Sequence, residues 1–180
     1  MAIKFSELKE GETVLFITSA QEYVSTNLAI LKRYITNKKC YCVYITVNKP
    51  YATLIKLLQQ EKIDTKKMFF IDAITPVASG MQRAGNAVFV GNPNGLTNIS
   101  IATTSAIKSM PENHRLLFLD SISTLILYND AGSVTKFSHF FINKMKEWNC
   151  TGAIISLEKE TDEKMISQLS QFVDKVIEVK

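Results

Sequence analysis

The chain has 180 residues, of which 46% are hydrophobic and 21% charged, with a formal net charge of +4. That balance suits a folded domain with a sizeable core and excludes a disordered or low-complexity chain. No apolar run approaches the roughly 18 residues of a membrane-spanning helix, and the basic residues are too scattered to mark a nucleic-acid surface.

Met1-Ala2-Ile3-Lys4 leads into polar residues instead of a signal-peptide core, so a cytoplasmic protein is expected. The first strong element is a buried-type strand, Thr13–Thr18, followed by Ser19-Ala20-Gln21-Glu22-Tyr23-Val24-Ser25-Thr26 and an apolar-periodic helix over Thr26–Thr36. Lys32-Arg33 and Lys38-Lys39 border the end of that helix, where cations favour the exposed carbonyls. Cys40 and Cys42 flank Tyr41 at the start of a strand over Tyr41–Val47, and alternation puts both thiols on one face. With Cys150 they make an odd count without a C-x-x-C pair, so reduced, partly buried thiols are expected. His114 and His139 show no ligand spacing with them, so no metal is expected and both histidines are read as surface or capping residues.

Pro50 suits the start of a helix over Tyr51–Glu61, and a strand follows at Met68–Asp72, with Asp72 placed to hydrogen-bond the next loop. Pro76, Gly80, Gly85, Gly91, Pro93 and Gly95 punctuate the stretch from Thr75 to Asn94. It reads as a long, mobile connection with one extra edge strand at Ala87-Val88-Phe89-Val90. A helix over Leu96–Met110 ends before Pro111, and Arg115–Asp120 is again a buried-type strand. A helix over Val134–Trp148, a strand over Thr151–Leu157, a helix over Glu163–Phe172 and a strand over Lys175–Val179 complete the series. Trp148, Phe137, Phe140 and Phe141 fall at helical spacings that suit core packing. The alternation predicts an α/β protein, a central mostly parallel sheet flanked by helices, in one domain spanning residues 1–180.

The frame Ser19–Thr26 has the length and strand–loop–helix setting of the phosphate loop G-x-x-x-x-G-K-[ST]. Ser19 and Val24 stand at its two glycine positions and Ser25 at its lysine; only Thr26 fits. Such a loop wraps backbone N–H groups around phosphate oxygens, and glycine permits the positive φ and close approach this needs. Val24 is β-branched and disfavours positive φ, Ser25 supplies no ammonium, Glu22 adds a negative charge and Tyr23 adds bulk. Losing one charge-assisted hydrogen bond costs about 1.5–3 kcal/mol, up to roughly a hundredfold in affinity. Helix N-capping is the simpler use of Ser25 and Thr26. A dinucleotide fold would show G-x-G-x-x-G after the first strand and an α/β-hydrolase G-x-S-x-G; the chain has neither.

Ordered pieces then converge on one family. They are Gly11-Glu12-Thr13-Val14-Leu15-Phe16-Ile17, Tyr44-Ile45-Thr46-Val47-Asn48-Lys49-Pro50, Phe69-Phe70-Ile71-Asp72-Ala73, Asn92-Pro93-Asn94-Gly95-Leu96-Thr97, His114 to Ser123, and Phe172 to Val179. In this order and spacing the chain resembles the RecA/KaiC-type P-loop ATPases, above all single-domain archaeal KaiC-like members. The resemblance implies a three-layer RecA-like P-loop NTPase fold with the phosphate loop after the first strand. It puts Asp120 at the Walker B position, near magnesium, and Thr26 at the magnesium-binding hydroxyl. It puts the catalytic glutamate near Val47-Asn48-Lys49, where none stands. Neither catalytic residues nor a cofactor are therefore expected. The function expected is that of a non-catalytic, regulatory or signalling domain acting through protein association. The resemblance implies a homo-oligomer or pairing with an active paralogue. Thr75–Asn94 and Val134–Trp148 are the candidate contact elements. The alternative is a Mg-ATP-binding ATPase with an atypical loop, using Thr26 and Asp120 for magnesium and Lys32, Arg33 or a neighbour's basic residue for phosphate. Nucleic acid and membrane are not expected partners.

Overall fold

A computed structural model describes residues 9–158 and 163–179; the start at Met1–Lys4 lies outside them. The strands are β1 Thr13–Thr18, β2 Tyr41–Thr46, β3 Met68–Asp72, β4 Gln82–Ala84, β5 Ala87–Phe89, β6 Arg115–Asp120, β7 Cys150–Leu157 and β8 Lys175–Val179. The helices are α1 Tyr23–Leu31, α2 Tyr51–Gln60, α3 Leu96–Lys108, α4 Ile122–Tyr128, α5 Ala131–Glu147 and α6 Glu163–Ser170. A π-helical turn, Lys32–Asn37, continues α1.

The strands form one sheet in the order β4-β5-β3-β2-β6-β7-β1-β8, parallel throughout except for β4, which runs antiparallel to β5. Its inner strands are apolar on both faces, so each face needs a cover. Leu15, Val43, Ile45, Leu117 and Leu119 pack beneath α3, α4, α5 and α6, while Val14, Phe16, Tyr44, Phe70 and Phe118 pack beneath α1 and α2. This is the expected α/β architecture, a mostly parallel sheet between two helical layers. At Gly152 in β7 an added Cβ would lie 2.4 Å from the Met145 sulfur and 2.7 Å from Thr13 Cγ2, so only glycine lets α5 approach the sheet there.

Several expectations need correction. The first helix starts at Tyr23, not Thr26. The stretch after Asp120 holds a helix, α4, that the pattern did not reveal; Ser121 Oγ caps it by accepting from the Thr124 amide. Helix α5 begins at Ala131 instead of Val134, because Asp130 accepts the Ser133 amide at 2.9 Å and caps it. The segment Thr75–Asn94 carries two strands, and Ala87–Phe89 is not at the edge: β5 lies between β3 and β4. Cys40 and Cys42 are fully buried and free, as is Cys150. Phe137 and Phe141 enter the core, but Phe140 is 45% exposed and stands beside the Lys144 ammonium.

Candidate functional site

The C-terminal ends of β1, β2 and β6 converge on one group, the Asp120 carboxylate. Parallel pairing of β2 with β6 puts Thr46 beside Asp120 and Tyr44 beside Phe118, whose rings stack with centroids 4.8 Å apart. Tyr44 therefore stands two residues back on the same face, and its hydroxyl donates to Asp120 Oδ2. From the other side, the Tyr23 hydroxyl donates to Asp120 Oδ1. Asn48 Nδ2 donates to the Tyr23 hydroxyl at 2.8 Å, to Asp120 Oδ1 at 3.2 Å and to Ser121 Oγ at 3.3 Å. The Thr124 hydroxyl, from α4, donates to Asn48 Oδ1 and fixes the amide in that orientation.

Burial raises the Asp120 carboxyl above its ordinary range, against the pull of hydrogen bonds from Tyr23, Tyr44 and Asn48. Burial and the adjacent Asp120 charge push the hydroxyls of Tyr23 and Tyr44 upward as well. Both tyrosines thus keep their protons and remain donors. Lys49 lies with its ammonium 4.9 Å from the Tyr23 ring centroid. Tyr23, Asn27, Tyr44, Lys49 and Asp120 leave between them a cavity of about 10 Å³, room for a single water. Asn27 Oδ1 is buried with no protein donor.

The loop itself is short. Strand β1 ends at Thr18 and α1 begins at Tyr23, so Ser19, Ala20, Gln21 and Glu22 make the whole connection. The Glu22 amide is taken by Ser19 Oγ at 3.2 Å, and the Thr26 amide already bonds the Glu22 carbonyl at 2.8 Å. Positive φ occurs at eight described residues, none between Ser19 and Thr26. Val24 is 38% exposed on α1.

Ser25 and Thr26 are not N-caps, because both lie inside the first turn. Ser25 Oγ donates to the Glu22 carbonyl at 2.9 Å and to Glu22 Oε2 at 2.7 Å. Thr26 Oγ1 is buried 3.3 Å from Thr18 Oγ1. Lys32 pairs with Glu61 at 2.7 Å, and Arg33 follows it in the π-helical turn beyond the end of α1. Both residues stand at the far end of α1 from the loop.

Tyr44, Asn48 and Thr124 escaped the reading of the sequence as site residues. Asn48 carried a signal: it directly follows β2, in the neighbourhood where the resemblance puts a catalytic glutamate. Among the described residues no group of three acidic, histidine or cysteine side chains could hold a metal ion, and no helix is long and apolar enough to cross a membrane. His114 is exposed 2.8 Å from Glu10, and His139 is exposed beside Asn143.

Solved structures share this fold. The chain is similar to the KaiC-like protein PH0186 of Pyrococcus horikoshii OT3, with 15% identity and a TM-score of 0.66 over 96% of this chain and 74% of that one. It is similar to the flagellar accessory protein FlaH of Methanocaldococcus jannaschii, with 10% identity and a TM-score of 0.63 over 95% and 72%. It is also similar to PH0250 of Pyrococcus horikoshii OT3, with 12% identity and a TM-score of 0.65 over 98% and 85%. The architecture is therefore the RecA/KaiC-like P-loop ATPase fold. No curated protein matches the chain. A model of a family of unknown function, DUF7504, matches residues 11–179.

Proposed function

The chain belongs to the DUF7504 family, and we propose that it is a non-catalytic RecA/KaiC-like domain, regulatory or signalling in role, that acts through protein association instead of nucleotide turnover. One observation carries the reading: the Tyr23 side chain, from the phosphate-loop frame, reaches the carboxylate at the Walker B position and bonds to it. Phosphoryl transfer relies on positioning and on charge stabilisation by a metal and cations. Here both oxygens of Asp120 accept from tyrosines. The Thr26 hydroxyl is buried, and Asn48 stands in the neighbourhood of the catalytic base. Within Ser19–Thr26 the Glu22 amide bonds Ser19 Oγ and the Thr26 amide bonds the Glu22 carbonyl, and none of these residues adopts the left-handed conformation that opens an anion nest. These residues, so arranged, do not fit a magnesium-bound triphosphate.

Calorimetric titration with Mg-ATP tests this. No saturable heat is expected, and saturable micromolar binding that weakens in Asp120→Ala would overturn it. The association half is tested by light scattering and affinity capture: a strict monomer that retains no partner counts against it.

The second reading, an atypical ATPase, draws on Lys49. Its ammonium over the Tyr23 ring would be a cation for phosphate if that ring turned outward. Mg-ATP binding that improves in Tyr23→Gly and fails in Tyr23→Gly with Lys49→Ala would favour it.

A further inference from the structure

At the sheet edge furthest from β8, strand β4 is fully exposed and pairs on one side only. The Val90 amide bonds the Asp72 carbonyl and the Phe70 amide bonds the Asn86 carbonyl, each at 2.8 Å. Backbone groups alternate between the two sides of a strand. Even-numbered residues along β5 therefore turn toward β3, and Ala87 and Phe89 turn toward β4, opposite Ala84 and Gln82. Arg83, opposite Val88, is left with its N–H and C=O pointing away from the sheet.

Beneath this edge, on the α3 face, lies a groove of about 270 Å³ lined by Phe69, Met81, Arg83, Val88, Ile101 and Ser105, among others. Helix α3 packs over β2 and β3 and leaves the outer strands overhanging. Met81 is 43% and Ile101 52% exposed, so apolar surface faces water along the groove. No acidic side chain lines it. Charged edge residues commonly guard a sheet against added strands by projecting from it. Arg83 does not: its guanidinium lies 5.4 Å from the Phe69 ring centroid, on the groove floor. Among the described residues no carboxylate pairs with it.

We propose that the β4 edge and its groove form a docking site for an extended segment of a partner protein that carries apolar and acidic side chains on one face, two residues apart. The segment adds a strand to β4 through the Arg83 peptide groups. Its inward side chains then meet Met81 and Ile101, and a carboxylate pairs with the Arg83 guanidinium. This rests on the association reading above and names the chemistry of its partner.

A random peptide library displayed on phage and selected on the full chain tests the site, with enriched peptides then synthesised and titrated by fluorescence anisotropy. Enriched peptides should carry apolar and acidic residues at positions two apart, on one face of an extended strand, and exchanging their acidic residues for lysine should abolish binding. Arg83→Pro removes both the outward N–H and the charge without touching the β4–β5 bonds, and should weaken binding at least tenfold. Ile101→Glu, on α3, should do the same with the hairpin intact, which keeps the test valid if Arg83→Pro does not fold. Three results overturn the proposal: no enriched peptide, enriched peptides without acidic residues, or binding unchanged in both variants. Sedimentation showing a dimer that dissociates in Arg83→Pro would make a second copy the occupant and also overturn it. Failure of the association reading is seen separately, because light scattering and affinity capture on the parent chain report it whatever the peptides do.

Discussion

Two carboxylates end the strands that flank β2, Asp72 of β3 and Asp120 of β6, in the same row of the sheet on either side of Thr46. Both are buried, yet they are satisfied in different ways. Asp72 accepts from the amides of Ile74 and Thr75 at 2.8 Å, from the Thr75 hydroxyl at 2.6 Å and from the Tyr51 amide, opening α2, at 2.7 Å. It is a cap for its own loop. Among the described residues Asp120 accepts only from side chains, and those of Tyr23, Tyr44 and Asn48 come from 97, 76 and 72 residues away. A backbone cap is kept by the fold itself. A side-chain clamp can be removed one hydroxyl at a time, so it bears the stamp of what this position is used for.

The largest effect should come from the backbone cap. Asp72→Ala strands three amides at once and should lower stability by about 3–5 kcal/mol in urea unfolding. A loss below about 1 kcal/mol would mean that the loop re-pairs and that Asp72 is no cap. On the Asp120 side, Tyr44→Phe deletes the one donor to Oδ2 among the described residues and should cost about 1.5–3 kcal/mol. Tyr23→Phe should cost about 1 kcal/mol, because Asn48 still serves Oδ1. The reverse order would show that the Tyr23 hydroxyl, not Tyr44, anchors the carboxylate. Pairing Tyr23→Phe with Asn48→Ala should give a coupling of at least about 0.5 kcal/mol, since the two groups bond each other and share Oδ1. Strict additivity would dissolve the idea of a network.

The smallest signal is in pH. Burial holds the Asp120 carboxyl above its ordinary value of 3.8, so the folded chain holds this proton more tightly than the unfolded one. Its stabilising contribution is complete below that value and is lost as pH rises through the folded pKa. Asp120→Asn does not titrate. Its melting temperature relative to the parent should therefore climb as pH rises from about 4 and level off above the folded pKa. A difference that falls over this range would mean that the tyrosine hydrogen bonds outweigh burial.

The elements carried by dense apolar runs were legible residue for residue. Strands β1, β3 and β6 occupy the spans their patterns predict, because a strand buried on both faces can be little else, and the half-exposed edge strand β8 does so too. Helix α4 was not legible. Ile122-Ser123-Thr124-Leu125-Ile126 is β-branched and apolar with no helical stripe, and burial on the sheet together with the Ser121 cap makes it helical. Strand β4 was missed because Gln82-Arg83-Ala84 has no alternation; it exists through pairing with β5 across the Gly85-Asn86 turn. The frame Ser19–Thr26 and Asp120 stood out by position, and Asp72 behaves as its place at a strand end predicted. Tyr44, in contrast, looked like one more aromatic of a buried strand.

The amino-acid sequence alone determined a parallel α/β sheet and showed Ser19–Thr26 between a strand and a helix without glycine or lysine, since hydrophobic period and side-chain chemistry are local properties. That Tyr23 closes on Asp120 with Tyr44 and Asn48, and that the Arg83 guanidinium stands over the Phe69 ring beside an unpaired edge, was decided only in the folded chain. Those contacts depend on strand order and on parallel register, which bring together residues far apart in the chain, and no local pattern encodes which strands become neighbours.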